Sequence, residues 1–375
     1  MKFNPLASLL TMVMVALAIT TFAQKSSKLD YWRPYDQRGV NIFEPPKQER
    51  TDFDGLQVRI GGNFAQQFQS LSHSNEAEPR LGGPNNDINL NELYALDPGF
   101  NLATANLYVD AQLADGIRVS VESYMSSRHH AEFWVKGGYI QVDKLPMFDS
   151  PDWFTDHVRV KIGHFQPNFG DQGFRRTDNG NAMYNPFVGN YIMDAFTTEI
   201  GGEAYLFPTN GLMFMVGMTS GLITGNVSEG TRKPSIYAKA AFDKQVSEAL
   251  RVRLSGSIYN NPESGRNTLY SGDRAGSRYY MVMEPAFAVP RGGTVPVPTS
   301  PGGNFTSGRW NPDFSENITA FQFNPFIKFN GLEFFGTYEV SSGYNSRENE
   351  EKRNVTQVGA ELLYRFLKNG QVYVG

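Results

Sequence analysis

Hydrophobic and polar residues alternate along extended stretches of this chain. In residues 158–162 a valine or isoleucine occupies every second position, with Arg159 and Lys161 between them. A two-residue period is typical of a β-strand with one apolar and one polar face, because successive side chains point to opposite sides. The same period recurs in residues 56–68, 106–122, 133–143, 199–207, 212–218, 235–259, 319–329, 332–341 and 355–366. The pattern predicts an all-β protein.

The connections between these strands alternate between short and long. Tight turns are predicted at residues 115–116, 210–211, 244–248 and 330–331. Long polar loops separate them, and residues 260–317 form the largest. In membrane barrels the short turns lie on the periplasmic side and the long loops lie outside. This parity predicts an antiparallel sheet with twelve complete crossings and, at residues 372–375, the beginning of a thirteenth.

The length of the strands indicates a membrane. Residues 56–68 exceed the usual globular strand and fit a tilted membrane crossing of about nine to eleven residues with some overhang. No later segment is apolar enough for a membrane helix, so a closed β-barrel is the membrane-spanning fold that the sequence allows. A closed barrel pairs its last strand with its first. Because the sequence stops inside a strand at Gly375, we expect that it is truncated and that its edges stay unpaired.

The amino terminus has the pattern of a secretory signal peptide. Residues 1–23 contain Lys2, an apolar core and small residues before Gln24. A membrane anchor is the alternative, although the apolar run is only marginally long for one. We therefore expect a cleaved signal at residues 1–23, an extended polar segment at residues 24–54 and a barrel at residues 55–375.

Composition narrows the function classes. The 375 residues carry a net charge of −4 and include no cysteine. No clustered basic face is present for nucleic acid, and neither disulfides nor thiolate metal sites can form. The five histidines accompany neither a G-x-S-x-G nor an H-E-x-x-H motif, and we expect the pair His129 and His130 to be exposed. The sequence predicts no catalytic, cofactor or metal site.

One connection is unusually long. After the strand at residues 158–165, a Pro- and Gly-containing stretch and a polar loop together make a connection of roughly thirty residues, far more than a hairpin loop needs. Residues 174–194 of this connection are rich in Asn, Gly and Tyr and include Arg175 and Arg176. In a barrel, this loop is the best candidate to fold inward and narrow the lumen.

Residues 159–170, R-V-K-I-G-H-F-Q-P-N-F-G, resemble the strand-to-loop signature of the phosphate-selective porin O and P family in its Bacteroidetes-type form. Further likenesses lie at residues 31–39, 272–280 and 324–336. The resemblance implies an antiparallel transmembrane β-barrel of sixteen strands in the outer membrane of a Gram-negative bacterium, with about twelve to thirteen strands in this chain. It also implies a cation-lined constriction that passes phosphate or other anions, with Arg175 and Arg176 near it. Outer-membrane lipid is the expected environment, and a homotrimer is the expected assembly.

The charges that the alternation of the strands projects into the lumen nearly balance. The cations are Arg59, Arg118, Arg159, Lys161, Lys239, Arg251, Arg253, Lys328 and Arg365, and the carboxylates are Asp110, Glu122, Glu199, Glu203, Asp243, Glu333, Glu339 and Glu361. The predicted pore-lining or constriction residues are Arg175, Arg176, Asp171, Asp178, Arg159, Lys161, Arg251 and Arg253. A field that attracts phosphate requires net positive charge along the path. The sequence therefore predicts a non-enzymatic, general or weakly selective porin for small hydrophilic or anionic solutes.

Two alternatives remain open at this point. An outer-membrane barrel enzyme, a lipase or protease, could assemble its site from distant residues. A secreted soluble β-sandwich would bury the apolar faces and need no detergent. For Arg175 and Arg176, the alternative to a constriction is an exposed pair bound to Asp171 or Asp178.

Overall fold

A computed structural model shows the fold of the chain. It describes residues 29–48, 50–127, 133–175, 184–185, 187, 192–194, 196–221, 232–264, 267–272, 281–290, 292–299, 310–345, 351–366 and 372–375. The predicted signal peptide, the pair His129 and His130, and the candidate residues Arg176 and Asp178 lie outside the described residues.

Thirteen antiparallel strands form one sheet, and their order in space follows their order in the chain. They are β1 (Gln57–Ala65), β2 (Thr104–Ala114), β3 (Ile117–Ser126), β4 (Phe133–Val142), β5 (Val158–Phe165), β6 (Glu199–Thr209), β7 (Leu212–Thr219), β8 (Ser235–Gln245), β9 (Leu250–Asn261), β10 (Glu316–Phe329), β11 (Leu332–Tyr344), β12 (Arg353–Phe366) and β13 (Val372–Val374). The prediction of twelve crossings and the start of another is confirmed.

Little other regular structure is present in the described residues. Short strand pairs within the long connections join Phe68–Gln69 to Gly99–Phe100, Leu81–Gly82 to Ile88–Asn89, and Phe287–Ala288 to Val297–Pro298. The helices are the 3-10 turns Gln37–Gly39 and Pro146–Phe148 and the short helices α1 (Asp152–His157) and α2 (Gln172–Arg175). No helix in the described part of the chain is long and apolar enough to cross a membrane.

The two ends of the sheet differ in their connections. Tight turns at residues 115–116, 210–211 and 330–331 lie at one end, together with the connection that contains α1. Gly116 and Gly211 have φ of 72° and 91°, the left-handed region that glycine adopts readily. Apart from the connection that contains α1, the long connections lie at the opposite end. We call these the turn end and the loop end.

The faces of the sheet are inverted relative to those of a soluble protein. Outward side chains are apolar and exposed: Val216 is 62% and Val358 75% exposed. Inward neighbours are polar, and Asp110 and Glu333 are completely buried. Exposed aromatic residues also gather near the turn end, at Phe242, Phe329, Tyr364 and Phe366. Aromatic girdles of this kind mark the interfaces of transmembrane β-barrels. The alternating faces confirm the predicted all-β, transmembrane barrel class.

The sheet curves around an N-terminal segment. Tyr35 donates to Asp110 in β2 at 2.6 Å, and Asn41 donates to Glu333 in β11 at 2.6 Å. In a flat sheet, nine strand spacings of about 4.8 Å would separate these strands by about 43 Å. Six residues of fully extended backbone span only about 20 Å, and a 3-10 turn shortens this stretch further. The sheet must therefore curl into a trough or cylinder. In the described residues, β1 and β13 are its two edges and do not pair.

The N-terminal segment differs from its predicted form. Its composition predicts an extended segment, whereas residues 29–48 fold back inside the curved sheet around the 3-10 turn at Gln37–Gly39. Tyr31, Phe43 and Lys47 are each only 1% exposed. We call residues 29–48 the lumenal segment. Its aromatic side chains pack against strands that are distant in sequence, and its charges pair with residues of such strands. A local sequence pattern does not reveal these contacts.

The inverted faces lead to a prediction about lipid-facing charge. Val216→Arg in the middle of β7 should destabilise the folded protein by about 2–4 kcal/mol, because an arginine at the bilayer midplane must leave water. Phe329→Arg, also outward but at the turn end, should cost only about 0–1 kcal/mol. Urea unfolding in lipid vesicles measures both variants. Equal losses of stability would contradict the assigned membrane depth.

Candidate functional site

The lumen is the candidate functional site. Its wall is the inward face of the sheet, and two stretches of chain enter it. One is the lumenal segment. The other is the stretch at residues 166–175, which we call the inward loop, between the end of β5 and the end of α2. The two stretches contact each other and several strands. Most charged side chains on the inward face form ion pairs in this way.

The inward loop begins where β5 can no longer pair. Pro167 has no N–H for the ladder, and the chain turns at Gly170, whose φ is 69°. A Cβ at Gly170 would lie 1.5 Å from Oε1 of Gln322, so only glycine fits there. The backbone of Gly170 donates to Ser257 at 3.0 Å, and that of Asp171 donates to Asn324 at 2.8 Å. These bonds fix the loop against β9 and β10.

Four buried charges form the centre of the lumen. Lys239 Nζ lies 2.8 Å from Glu44 Oε1 and 2.6 Å from Asp171 Oδ1. Arg253 Nη2 lies 2.6 Å from Glu44 Oε2, and Arg253 Nε lies 2.8 Å from Asp171 Oδ2. The two cations come from the wall, while the two carboxylates come from the lumenal segment and the inward loop. We call these four residues the central cluster.

The central cluster keeps its carboxylates ionised. Burial raises the pKa of Glu44, but the attraction of Arg253 and Lys239 outweighs burial, and the net pKa lies below the usual value of 4.5. The same opposing effects lower the pKa of Asp171. Each charge of the cluster is paired, and additional hydrogen bonds, including one from Ser255 to Asp171 at 2.8 Å, complete the contacts of the carboxylates. The cluster therefore avoids the cost of an isolated buried ion.

A second group of charges lies near the turn end, around Glu333. Arg365 Nε donates to Glu333 Oε1 at 2.9 Å, and Arg175 Nη1 lies 3.5 Å from Glu333 Oε2. Arg175 also approaches Glu361 at 3.5 Å and donates to the side chain of Asn41. Arg175 therefore joins the inward loop, the lumenal segment and the wall.

The other wall of the lumen binds the beginning of the lumenal segment. Asp110 accepts hydrogen bonds from Trp32 at 3.1 Å and from Tyr35 at 2.6 Å, and it pairs with Arg118 at 2.7 Å. Tyr35 also stacks on Tyr108 with ring centroids 3.7 Å apart. These contacts fix the aromatic side chains of the segment against β2 and β3.

Lys47 attaches the end of the lumenal segment to the wall. Its ammonium group donates to the Asp143 carbonyl at 2.8 Å, to Asp143 Oδ1 at 3.0 Å and to the Val158 carbonyl at 2.8 Å. Arg159 shares Asp143 Oδ1 at 2.8 Å. Burial lowers the pKa of Lys47 to about 8, so the group is still mostly protonated at neutral pH.

Beside the central cluster, a cavity of about 280 Å³ remains along β2 to β5. Its charged lining consists of Arg33, Arg118, Lys136, Arg159, Lys161, Glu44 and Glu122. Lys136 faces inward because a bulge in β4 inserts it as an extra residue opposite β3, where it pairs with Glu122 at 3.0 Å. Burial lowers the pKa of Arg33 to about 10, and its guanidinium is held by the carbonyls of Ile42 and Phe174.

The lumen opposite this cavity is filled at the loop end. Tyr259 donates to Glu199 at 2.7 Å, and Tyr270 donates to Glu339 at 2.6 Å. Tyr259, Tyr270 and Phe314 are completely buried in one apolar cluster. The cavity therefore lies on the side of the lumen that β2 to β5 form.

The structure brings several predicted residues together and separates others. Asp171 and Arg253 meet in the central cluster, and Arg251 pairs with Asp243 at 2.7 Å. Arg159 and Lys161 line the cavity. Arg175 is buried with Glu333 and Glu361 rather than exposed beside Asp171. Sequence reasoning missed Glu44 and Lys47 as site residues. Residues 29–50 carry several charges of both signs among aromatic residues and prolines, and no local signal distinguishes these two.

Comparison with known proteins finds likeness to solved structures alone. No family model matches the chain, so the likeness to the phosphate-selective O and P family stays a prediction, and no curated protein matches it. Similar solved structures are outer-membrane porins. The Salmonella typhi OmpF complex with daunomycin is 9% identical with a TM-score of 0.34, covering 84% of this chain and 86% of that chain. Pseudomonas putida OprB in its high-pH structure is 10% identical with a TM-score of 0.32, covering 82% and 76% respectively. Because these TM-scores are below 0.5, the functional conclusion rests on the geometry of this lumen.

No group of side chains able to hold a metal ion occurs among the residues that the structure describes. The histidines there bind neighbouring polar groups: His73 contacts the Tyr94 carbonyl, His157 the Phe207 carbonyl, and His164 the Thr198 hydroxyl. The chemistry that this lumen offers is the pairing and hydration of charges.

The lowered pKa of Glu44 predicts how docking of the lumenal segment depends on pH. When docked, Glu44 holds its proton less tightly than when released, so its contribution is complete above about pH 4.5 and is lost as the pH falls below that value. Each pH unit of acidification should weaken docking by up to about 1.4 kcal/mol. Hydrogen exchange of residues 29–48 measures the effect. Compared at the same pH values, the Glu44→Gln variant should lose most of this pH dependence of exchange. An unchanged acid response in that variant would contradict the role of Glu44 in docking.

Proposed function

We propose that this protein is an outer-membrane porin for the passive diffusion of small hydrophilic solutes. The supporting observation is the inverted sheet. Its outward apolar side chains, such as Val216 and Val358, suit lipid, while its inward side chains are charged and hydrogen-bonded. A polar interior of this kind behind an apolar exterior is the pattern of a transmembrane barrel that encloses water.

The route for solutes follows the cavity along β2 to β5. From the loop end towards the turn end it passes Lys136 and Glu122, then Lys161 and Arg118. The inward loop narrows the lumen from the opposite side, where it is held against β9 and β10. Polar and charged groups that line such a route select solutes by size and charge.

The cavity favours anions more than the whole lumen does. The lumen contains both signs in near balance, whereas the cavity lining has five cationic side chains and two carboxylates. Arg118 and Arg159 are neutralised by Asp110 and Asp143. Lys161 lies 3.4 Å from Glu203, a looser pair than those of the central cluster. The proposal is therefore a weak anion preference, with phosphate as one of several small anions that pass.

A conductance measurement tests the proposal. The protein should form channels in a planar bilayer, and its reversal potential in a potassium chloride gradient should show a weak preference for chloride. The double variant Lys136→Gln/Lys161→Gln should shift that potential towards cation preference, because it removes two positive charges from the route. Arg50→Gln changes a charge that is 41% exposed and outside the cavity lining, and it should leave the potential unchanged.

Three outcomes would contradict the proposal in whole or in part. Folded protein that gives no channels in wild-type or variant form would not be a porin. Lipid hydrolysis that disappears in His164→Ala would favour the barrel enzyme instead. A shift in the Arg50→Gln control as large as that of the double variant would place the selectivity outside the cavity.

A further inference from the structure

The lumenal segment crosses the bore of the sheet from wall to wall. It binds Asp110 of β2 through Trp32 and Tyr35, and Glu333 of β11 through Asn41. Between these walls, Glu44 binds Arg253 of β9 and Lys239 of β8. A stretch of chain that contacts opposite walls lies across any route through the lumen.

The segment also closes the turn-end side of the cavity. Tyr31, Trp32 and Tyr35 line it there, beside Arg118 and Arg159. Arg118 is the second residue of β3 and Arg159 the second of β5, so both lie close to the turn end. A solute that enters from the loop end and passes Lys136 therefore meets these aromatic side chains before it reaches the turn end.

The attachment of the segment differs from that of the wall strands. In the described residues, its backbone–backbone hydrogen bonds are internal, such as Gly39 to Asp36 at 2.8 Å and Val40 to Gln37 at 3.1 Å. The segment is bound to the wall by side chains: Glu44 and Lys47 make its buried ion pairs, and Trp32, Tyr35 and Asn41 add hydrogen bonds. All of these contacts involve side chains, so breaking them leaves the backbone ladder of the sheet intact. The segment can therefore leave the lumen without breaking the sheet.

We propose that the lumenal segment is a gate: when docked it closes the turn-end exit of the channel, and when released it opens a route along β2 to β5. The inference rests on the proposed porin function. It assigns to residues 29–48 a regulatory role that is separate from the charge selectivity of the wall.

Changes confined to the segment test the gate without altering the wall. Glu44→Gln/Lys47→Gln removes the two side chains that form buried ion pairs with the wall, while Arg253 and Lys239 keep Asp171 as a partner. This release variant should increase single-channel conductance or open probability severalfold. Arg38→Gln is the matched control, because Arg38 belongs to the same segment but is half exposed and pairs only with Asp36 two residues away. The control should behave as wild type.

A reversible tether tests the same claim in the opposite direction. The chain has no cysteine, so thiol reagents act only at introduced positions. Tyr35→Cys/Tyr108→Cys, added to the release variant, places thiols at two side chains that stack in the docked state. A short bifunctional methanethiosulfonate reagent should return this protein to the low conductance of wild type, and a reductant should restore the high conductance. The single substitution Tyr35→Cys in the release variant should not respond.

The outcomes separate the gate from the porin. If all forms conduct equally and the tether has no effect, the gate is wrong and the porin proposal stands. If the folded wild type, release variant and control all fail to conduct, the porin proposal fails and the gate fails with it. Conductance in the release variant but hardly any in wild type would support both.

Discussion

The structure depends on one constraint: the two-residue period of its strands must keep apolar side chains outside and charged side chains inside across the whole sheet. Shifting a strand by one residue would turn all of its side chains to the wrong face. The registry between β8 and β9 shows the consequence, because Lys239 and Arg253 both face the lumen while Phe242 and Leu254 face outward. The lumen charges can meet only because this register is kept.

The inward charges in turn determine what fills the lumen. Lys239 and Arg253 without partners would carry two positive charges into a confined space, which costs free energy unless anions or carboxylates approach. Glu44 and Asp171 supply these carboxylates from stretches that are not part of the wall. The need of these two cations for carboxylate partners therefore accounts both for the balance of charge in the lumen and for the stretch of chain that crosses it. The route that remains, along β2 to β5, includes the pair of Lys161 and Glu203, which at 3.4 Å is looser than the pairs of the central cluster.

The sheet could be predicted from the sequence, whereas much of the site could not. Alternation and turn residues are local signals, so the strands and the tight turns follow from short windows. The bulge that turns Lys136 inward breaks the period and has no comparable signal beyond its flanking glycines. The partners of the lumenal segment are farther still: Glu44 and Arg253 are 209 residues apart, and Asn41 and Glu333 are 292 apart. Only the folded sheet brings such residues together.

The inverted faces of the sheet can be observed by site-directed spin labelling. Single nitroxides placed at Val119, Ser120, Val121 and Glu122 of β3 sample both faces of one strand in lipid vesicles. We expect oxygen dissolved in lipid to relax the labels at Val119 and Val121 most strongly, and contact with deuterated water to be greatest at Ser120 and Glu122. Loss of this alternation, or water contact at Val119 and Val121, would contradict the inverted sheet.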